Sequence, residues 1–188
     1  MRLTGEIRAD RPLIVVALEE EAAYLDDRLP VLLTGVGKVN AGIAVTAALT
    51  TTRPSAVINV GTAGAVRAGW TGIHEVSRVV QHDLDDAVLY GLTGRSFAPP
   101  IDMSGEGPVL ATGDVFVSSA ADRERISAVA HLVDMEGYAV AAAARRAGVP
   151  VRLVKHVSDE ADDTAARSWT RSVDGAARAL SDWVAGQL

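Results

Sequence analysis

Short apolar runs recur along this chain, each closed by glycine or an acidic residue, and each followed by a segment with helical character. The runs are Pro12–Ala17 (PLIVVA), Val31–Thr34, Ala56–Val60 (AVINV), Pro108–Ala111, His131–Asp134 and Val151–Val157 (VRLVKHV). Runs this short and this continuously apolar read as strands buried on both faces, which is the signature of a parallel sheet covered by helices. The intervening segments supply the helices. Glu20–Arg28 is predicted to be a short helix stopped by Pro30, and Gly35-Val-Gly-Lys-Val-Asn40 opens a helix to about Thr51. Ala120–Ala130, an Ala-rich stretch over Gly137–Ala147 and a long C-terminal segment from about Asp163 to Ala185 follow. In the last of these, Trp169, Val173, Ala177, Leu180 and Val184 repeat on one face. Gly72–Val80 reads as one partly exposed strand, and the Gly- and Pro-containing stretch Gly91–Gly107 as a long loop.

Strand–helix alternation predicts an α/β fold: a single domain over residues 1–188, three layers deep, with a mostly parallel, mixed central sheet. At 188 residues the chain is long enough for one well-developed core. Ligands of open α/β sheets bind beyond the carboxyl ends of the strands. That rule gathers Glu19–Glu21, Gly35–Lys38, Gly61–Gly64, Met135-Glu136 and Ser158-Asp159 on one rim.

Composition removes several classes of function. A formal charge of −6, with arginines scattered along the chain, argues against a nucleic-acid partner, which needs a basic face. With no cysteine there are no disulfides and no thiolate chemistry. No apolar run reaches the ~20 residues of a membrane span. Charges at Arg2, Glu6, Arg8, Asp10 and Arg11 leave no apolar core for a signal peptide. A cytoplasmic protein without a membrane partner is expected. His74, His82, His131 and His156 lie at spacings that make no metal site, so no metal is expected, and no cofactor either. Gly35-x-Gly37-x-x-Asn40 lacks the sixth-position Gly or Ala of a dinucleotide fingerprint, and no ribose-binding acid ends the next strand. A tight turn with its amides facing the site is the better reading.

Acidic residues at separate strand ends are what remains. Runs such as Glu19-Glu20-Glu21 are usually solvated, Asp134-Met-Glu136 could open a helix, and Ser158-Asp159 could cap one. Acids from three strands converging on one rim, with few His and no Cys, instead suit acid/base work on a neutral or cation-forming substrate.

In order along the chain, Ala17-Leu-Glu-Glu-Glu21, Gly35-Val-Gly-Lys-Val39, Asn59-Val-Gly-Thr-Ala-Gly64, Gly113-Asp-Val-Phe116, Asp134-Met-Glu136 and Ser158-Asp-Glu-Ala-Asp162 together resemble the nucleoside phosphorylase/nucleosidase superfamily. Within it they are most similar to the 5′-methylthioadenosine/S-adenosylhomocysteine nucleosidases. The resemblance implies the nucleoside phosphorylase-like fold and hydrolysis of the N-glycosidic bond of a purine nucleoside to free purine and a ribose moiety. It implies Asp159 as general acid toward purine N7 with Ser158 beside it, and Glu21 as the acid that holds and deprotonates water. Glu136 would bind the ribose hydroxyls with Met135 beneath the sugar. Phe116 would stack on the base and the Val117 backbone read its edge, with Thr62 near the ribose and Val36 and Lys155 also at the substrate. Trp169 would close over the 5′ group, and a homodimer is implied.

Three features depart from the family pattern. Lys155 stands in place of an arginine, Trp169 in place of another aromatic residue, and the β-hairpin usually inserted before Val31 is missing. Rival readings are a phosphorylase using phosphate on the same fold, a futalosine-type hydrolase, and a non-catalytic nucleoside-binding protein.

Overall fold

A computed structural model describes residues 1–187. The elements in order are β1 (Arg2–Thr4), β2 (Leu13–Val16), β3 (Val31–Leu33), α1 (Lys38–Ala48), β4 (Val57–Ala65), β5 (Gly72–Glu75), β6 (Arg78–Gln81), α2 (Asp86–Thr93), β7 (Ile101–Asp102), β8 (Val109–Thr112), α3 (Ala120–Ser127), β9 (Leu132–Asp134), α4 (Gly137–Arg146), β10 (Val151–Asp159) and α5 (Ala165–Ala185). The strands form one mixed sheet in the order β1-β3-β2-β4-β9-β8-β6-β7, and β10 joins it by pairing with β4 and β5. Pairings β2–β3, β2–β4, β4–β10, β6–β8 and β8–β9 are parallel, and β1–β3, β5–β10, β4–β9 and β6–β7 are antiparallel.

The period of two along each strand explains why helices cover both faces. Leu13 and Val15 point to one side, into a core completed by Ala41, Ala44 and Val45 of α1 and by Val140 and Ala144 of α4. Ile14 and Val16 point to the other, where Ile58, Val60 and Val154 meet Leu180 and Val184 of α5. Small residues let α1 and α4 lie close to the sheet and to each other. On the α5 side the sheet continues under α3 through Ala111, Val133 and Ile126. The result is a single α/β domain of three layers.

Several local expectations are corrected. Residues 20–28 form turns and no helix. Ala22 N–H bonds back to Leu18 and Glu19 carbonyls, but the Asp26 carboxylate takes the Arg28 N–H and ends the repeat at once. Gly72–Val80 is two strands: Val76 N–H reaches Leu153 and Ser77 N–H reaches Pro108, so the chain crosses from β10 to β8 between them. The stretch predicted as a loop over Gly91–Gly107 contains the end of α2 and the short β7. Asp86 fastens it by accepting from Ser96 Oγ and from the Phe97 and Ala98 amides. Finally, only turns separate β2 from β3, and the edge of β3 is paired with the N-terminal strand β1.

Candidate active site

The carboxyl ends of β2, β4, β9 and β10 surround a cavity of about 270 Å³, and the loop after β8 closes part of its mouth. Of the three neighbouring glutamates, Glu19 and Glu20 are exposed and Glu21 is only 4% exposed. Glu21 turns inward because Thr62 offers its oxygen two donors. The Thr62 amide donates to Glu21 Oε1 at 2.7 Å and the Thr62 hydroxyl donates to the same oxygen at 2.8 Å. Gly61 makes room for this approach, since a Cβ there would sit 3.3 Å from Glu21 Oε1. Glu21 Oε2 has no protein hydrogen bond among the described residues, and Glu21 lines the cavity.

Asp159 reaches the cavity through an irregularity in β10. The pairing with β4 shifts register between Val157 and Asp159, so that Asp159 lies opposite Gly64. A bulge of this kind re-aims a side chain without ending the strand. Its carboxylate accepts from Ser158 Oγ at 2.7 Å and from the Ala161 amide at 2.9 Å. A Cβ on residue 64 would lie 2.8 Å from Asp159 Oδ1 and 3.2 Å from Ala161 Cβ, so a side chain there would displace the Asp159 carboxylate from this position. Gly61 and Gly64 are therefore places where carboxylates approach the backbone of β4.

Glu136 sits at the start of α4, 8% exposed, and accepts from the Gly37 amide at 2.8 Å. Gly35 and Gly37 hold positive φ (86° and 95°), which aims this turn at the site. The neighbouring Lys38 amide donates to Asp114 at 2.7 Å, and the Lys38 ammonium meets Asp83 at 2.6 Å. The N-terminal amides of α1 thus hold the protein's own carboxylates, where a dinucleotide-binding turn would hold phosphate. The same contacts anchor the segment carrying Val115, Phe116 and Val117 over the cavity, with Phe116 about half exposed.

Met135, Ser158, Val36 and Thr62 also line the cavity, as does Trp169 from α5. Lys155 does not. It shares the face of β10 that carries Leu153 into the core, is 1% exposed, and meets Asp134 at 2.9 Å. The expectation that Lys155 touches substrate is corrected: strand alternation turns it beneath the cavity floor. Asp134 completes its own shell with Thr112 Oγ1 and the Gly137 amide, both of which donate to it. This buried partner was not singled out from sequence, although the Asp134-Met-Glu136 motif contains it. His82 packs behind Gly113, away from the lining, with neither ring nitrogen hydrogen-bonded among the described residues.

The charges are lopsided. Glu21, Asp134, Glu136 and Asp159 line the cavity, and among the described residues its lining contains no Arg, Lys or His. Burial first, and the Asp134 charge second, push the Glu136 carboxyl up to about 7, against the opposing pull of Lys155 and the Gly37 amide. Burial works against the Lys155 ammonium, but Asp134 and Glu136 outweigh it and hold its pKa above the ordinary lysine value.

The model of the family described as "Phosphorylase superfamily" matches residues 23–102 and 100–184. The chain belongs to that superfamily. It is 31% identical over 183 residues to a 5′-methylthioadenosine/S-adenosylhomocysteine nucleosidase of Arabidopsis thaliana, spanning 86% of this chain and 72% of the relative. It is 28% identical over 191 residues to the nucleosidase of that name from Staphylococcus carnosus, spanning 88% and 83%. Among solved structures, S-adenosylhomocysteine nucleosidase from Streptococcus pyogenes in complex with 5-methylthiotubericidin superposes with a TM-score of 0.78 at 27% identity, covering 91% of this chain and 92% of that one. The nucleoside phosphorylase-like fold expected from the sequence is the fold observed.

Glu136 generates a pH prediction for this superfamily member. Its folded-state pKa of about 7 lies above the ordinary glutamate value, so its protonated form is favoured on folding. The associated stability is fully present at low pH and is lost as pH rises through about 7. Relative to wild type, Glu136→Gln is expected to be near neutral at pH 4 and stabilising above pH 8, by up to about 3 kcal/mol. Urea titrations at the two pH values check this, and a pH-independent difference would contradict it.

Proposed function

We propose that the protein hydrolyses the N-glycosidic bond of an adenosine-type purine nucleoside, releasing free purine and the ribose moiety. One observation carries the reading: among the described residues, the cavity is lined by carboxylates and by no cationic side chain. Glycosidic cleavage develops positive charge on the sugar, and carboxylates around it stabilise that charge most strongly in the transition state. The names of the Arabidopsis, Staphylococcus carnosus and Streptococcus pyogenes relatives, all nucleosidases, agree with it.

In this reading the three catalytic acids divide the work. Asp159 donates a proton to the departing purine, held by Ser158 and the Ala161 amide. Glu21 uses its unpartnered Oε2 to hold and deprotonate water, while Oε1 stays tied to Thr62. Glu136 accepts from the ribose hydroxyls with Met135 below the ring, and the segment Val115–Val117 covers the base. General acid–base help of this kind is typically worth ~10²–10⁴-fold.

Phosphorolysis on the same fold is disfavoured by the same observation. Phosphate needs cationic or amide donors. Here the Thr62 amide is committed to Glu21, and the buried cation Lys155 is committed to Asp134.

The protein is also proposed to act as a homodimer. Helix α1 exposes Val39 and Ile43, and α2 exposes Val88, Tyr90 and Leu92. No residue of α2 is buried. The Lys38–Asp83–Asp114 contacts bring the starts of these two helices together, and an apolar surface of this kind suits a second copy of the chain. Sedimentation should give a dimer at micromolar concentration, and a fully active monomer would contradict the assignment.

The activity test is purine release from adenosine, 5′-methylthioadenosine and S-adenosylhomocysteine, with and without phosphate. Hydrolysis predicts a rate indifferent to phosphate and a free sugar product, whereas ribose 1-phosphate would establish phosphorolysis. Absence of release would leave a binding protein. Asp159→Asn should lower kcat by about 10²-fold or more with KM little changed. A variant retaining most of its activity would refute the role of Asp159.

A further inference from the structure

We infer that Trp169 is a positioning residue for Glu21, acting through the Thr62 hydroxyl. The inference rests on the hydrolytic reading above, and it deepens that reading.

Trp169 stands early in α5, and its indole Nε1 donates to Thr62 Oγ1 at 3.0 Å. An indole N–H can only donate, so the direction of this bond is fixed by chemistry. Thr62 Oγ1 carries one proton and two lone pairs. With a lone pair engaged by Trp169, its proton goes to Glu21 Oε1, 2.8 Å away. The two bonds form a polarised relay, Trp169 N–H to Thr62 O–H to Glu21 carboxylate, in which each donor strengthens the next.

Its consequence is geometric. Glu21 Oε1 already takes the Thr62 amide at 2.7 Å, so the relay holds this oxygen from two directions and leaves Oε2 as the oxygen presented to the cavity. A base that must take a proton from a water in one orientation gains from a carboxylate that cannot rotate. The start of α5 is itself fastened to the site, because Ser172 Oγ donates to the Ser158 carbonyl at 3.1 Å. The helix that carries the indole is therefore tied to the strand end that carries Asp159. An aromatic ring without an N–H at position 169 would keep much of the packing and leave the relay one donor short.

Trp169→Phe separates the ring from the hydrogen bond. It should lower kcat about tenfold, with KM changed less than about twofold. The fall should be the same for nucleosides with and without a 5′ substituent, since it is transmitted through Glu21. The discriminating measurement is a double-mutant cycle with Thr62→Val. In the Thr62→Val background Trp169→Phe should have no further effect, because the relay is already cut. In parallel, the indole ¹H–¹⁵N signal of Trp169, assigned by its loss in Trp169→Phe, should shift in Thr62→Val.

Additive losses in the cycle, an effect confined to KM or to 5′-substituted substrates, or an indole signal indifferent to Thr62→Val would each overturn the role of Trp169 while leaving the hydrolytic reading intact. Failure of the wild type to release purine would sink both.

Discussion

Beneath the cavity, Lys155 and Asp134 form a fully buried ion pair at 2.9 Å, and the arrangement of the site depends on it. Removing charges from water is costly unless they are paired and hydrogen-bonded. Here the pair is completed by Thr112 and the Gly137 amide, so its lone pairs are satisfied. Because Lys155, the one buried cation among the described residues, sits below the floor and pairs with Asp134, the carboxylates of Glu21, Glu136 and Asp159 face the cavity without a paired cation. Lys155 moderates their mutual repulsion from a distance, yet Glu136 still rises to about 7. A site built this way suits a substrate that becomes cationic as it reacts, and it repels anions.

Strand-end geometry does the rest. Two glycines of β4 let Glu21 and Asp159 approach the backbone, and the register shift in β10 delivers Asp159 to Gly64. The turn at Gly35–Gly37 brings an amide to Glu136. Each carboxylate is thus oriented by a backbone donor: Thr62 for Glu21, Ala161 for Asp159 and Gly37 for Glu136. Orientation by main chain is rigid, and pre-organisation of this kind is what electrostatic catalysis requires.

Much of this was legible in the sequence, for definite physical reasons. Continuous apolar runs identify doubly covered strands, and the rule that ligands bind at strand carboxyl ends gathers Glu19–Glu21, Glu136 and Asp159, with the family resemblance singling out Glu21. What escaped depends on contacts between distant residues. The helical spacing of Ala22, Ala23 and Leu25 is real, but the turn of Glu21 toward Thr62 and the Asp26 bond to the Arg28 amide override it. The break between β5 and β6 is set by the partners Leu153 and Pro108, which no local pattern encodes. The exposed strand β1 is held by its pairing with β3 and by the Arg2–Glu19 contact, both with distant residues. Lys155 was placed at the substrate by the family resemblance, where it stands for an arginine, while the side it faces follows from the alternation of Leu153 and Val154.

The central claim is that this cavity favours a sugar bearing positive charge. The most direct test compares two adenine nucleoside analogues of the same shape, one with a cationic pyrrolidine in place of ribose and one with a neutral carbocycle, by calorimetry at pH 7.5. The account expects the cationic analogue to bind at least about 10²-fold tighter, with much of that advantage lost in Glu21→Gln. Equal affinity for the two, or preference for the neutral ring, would contradict it.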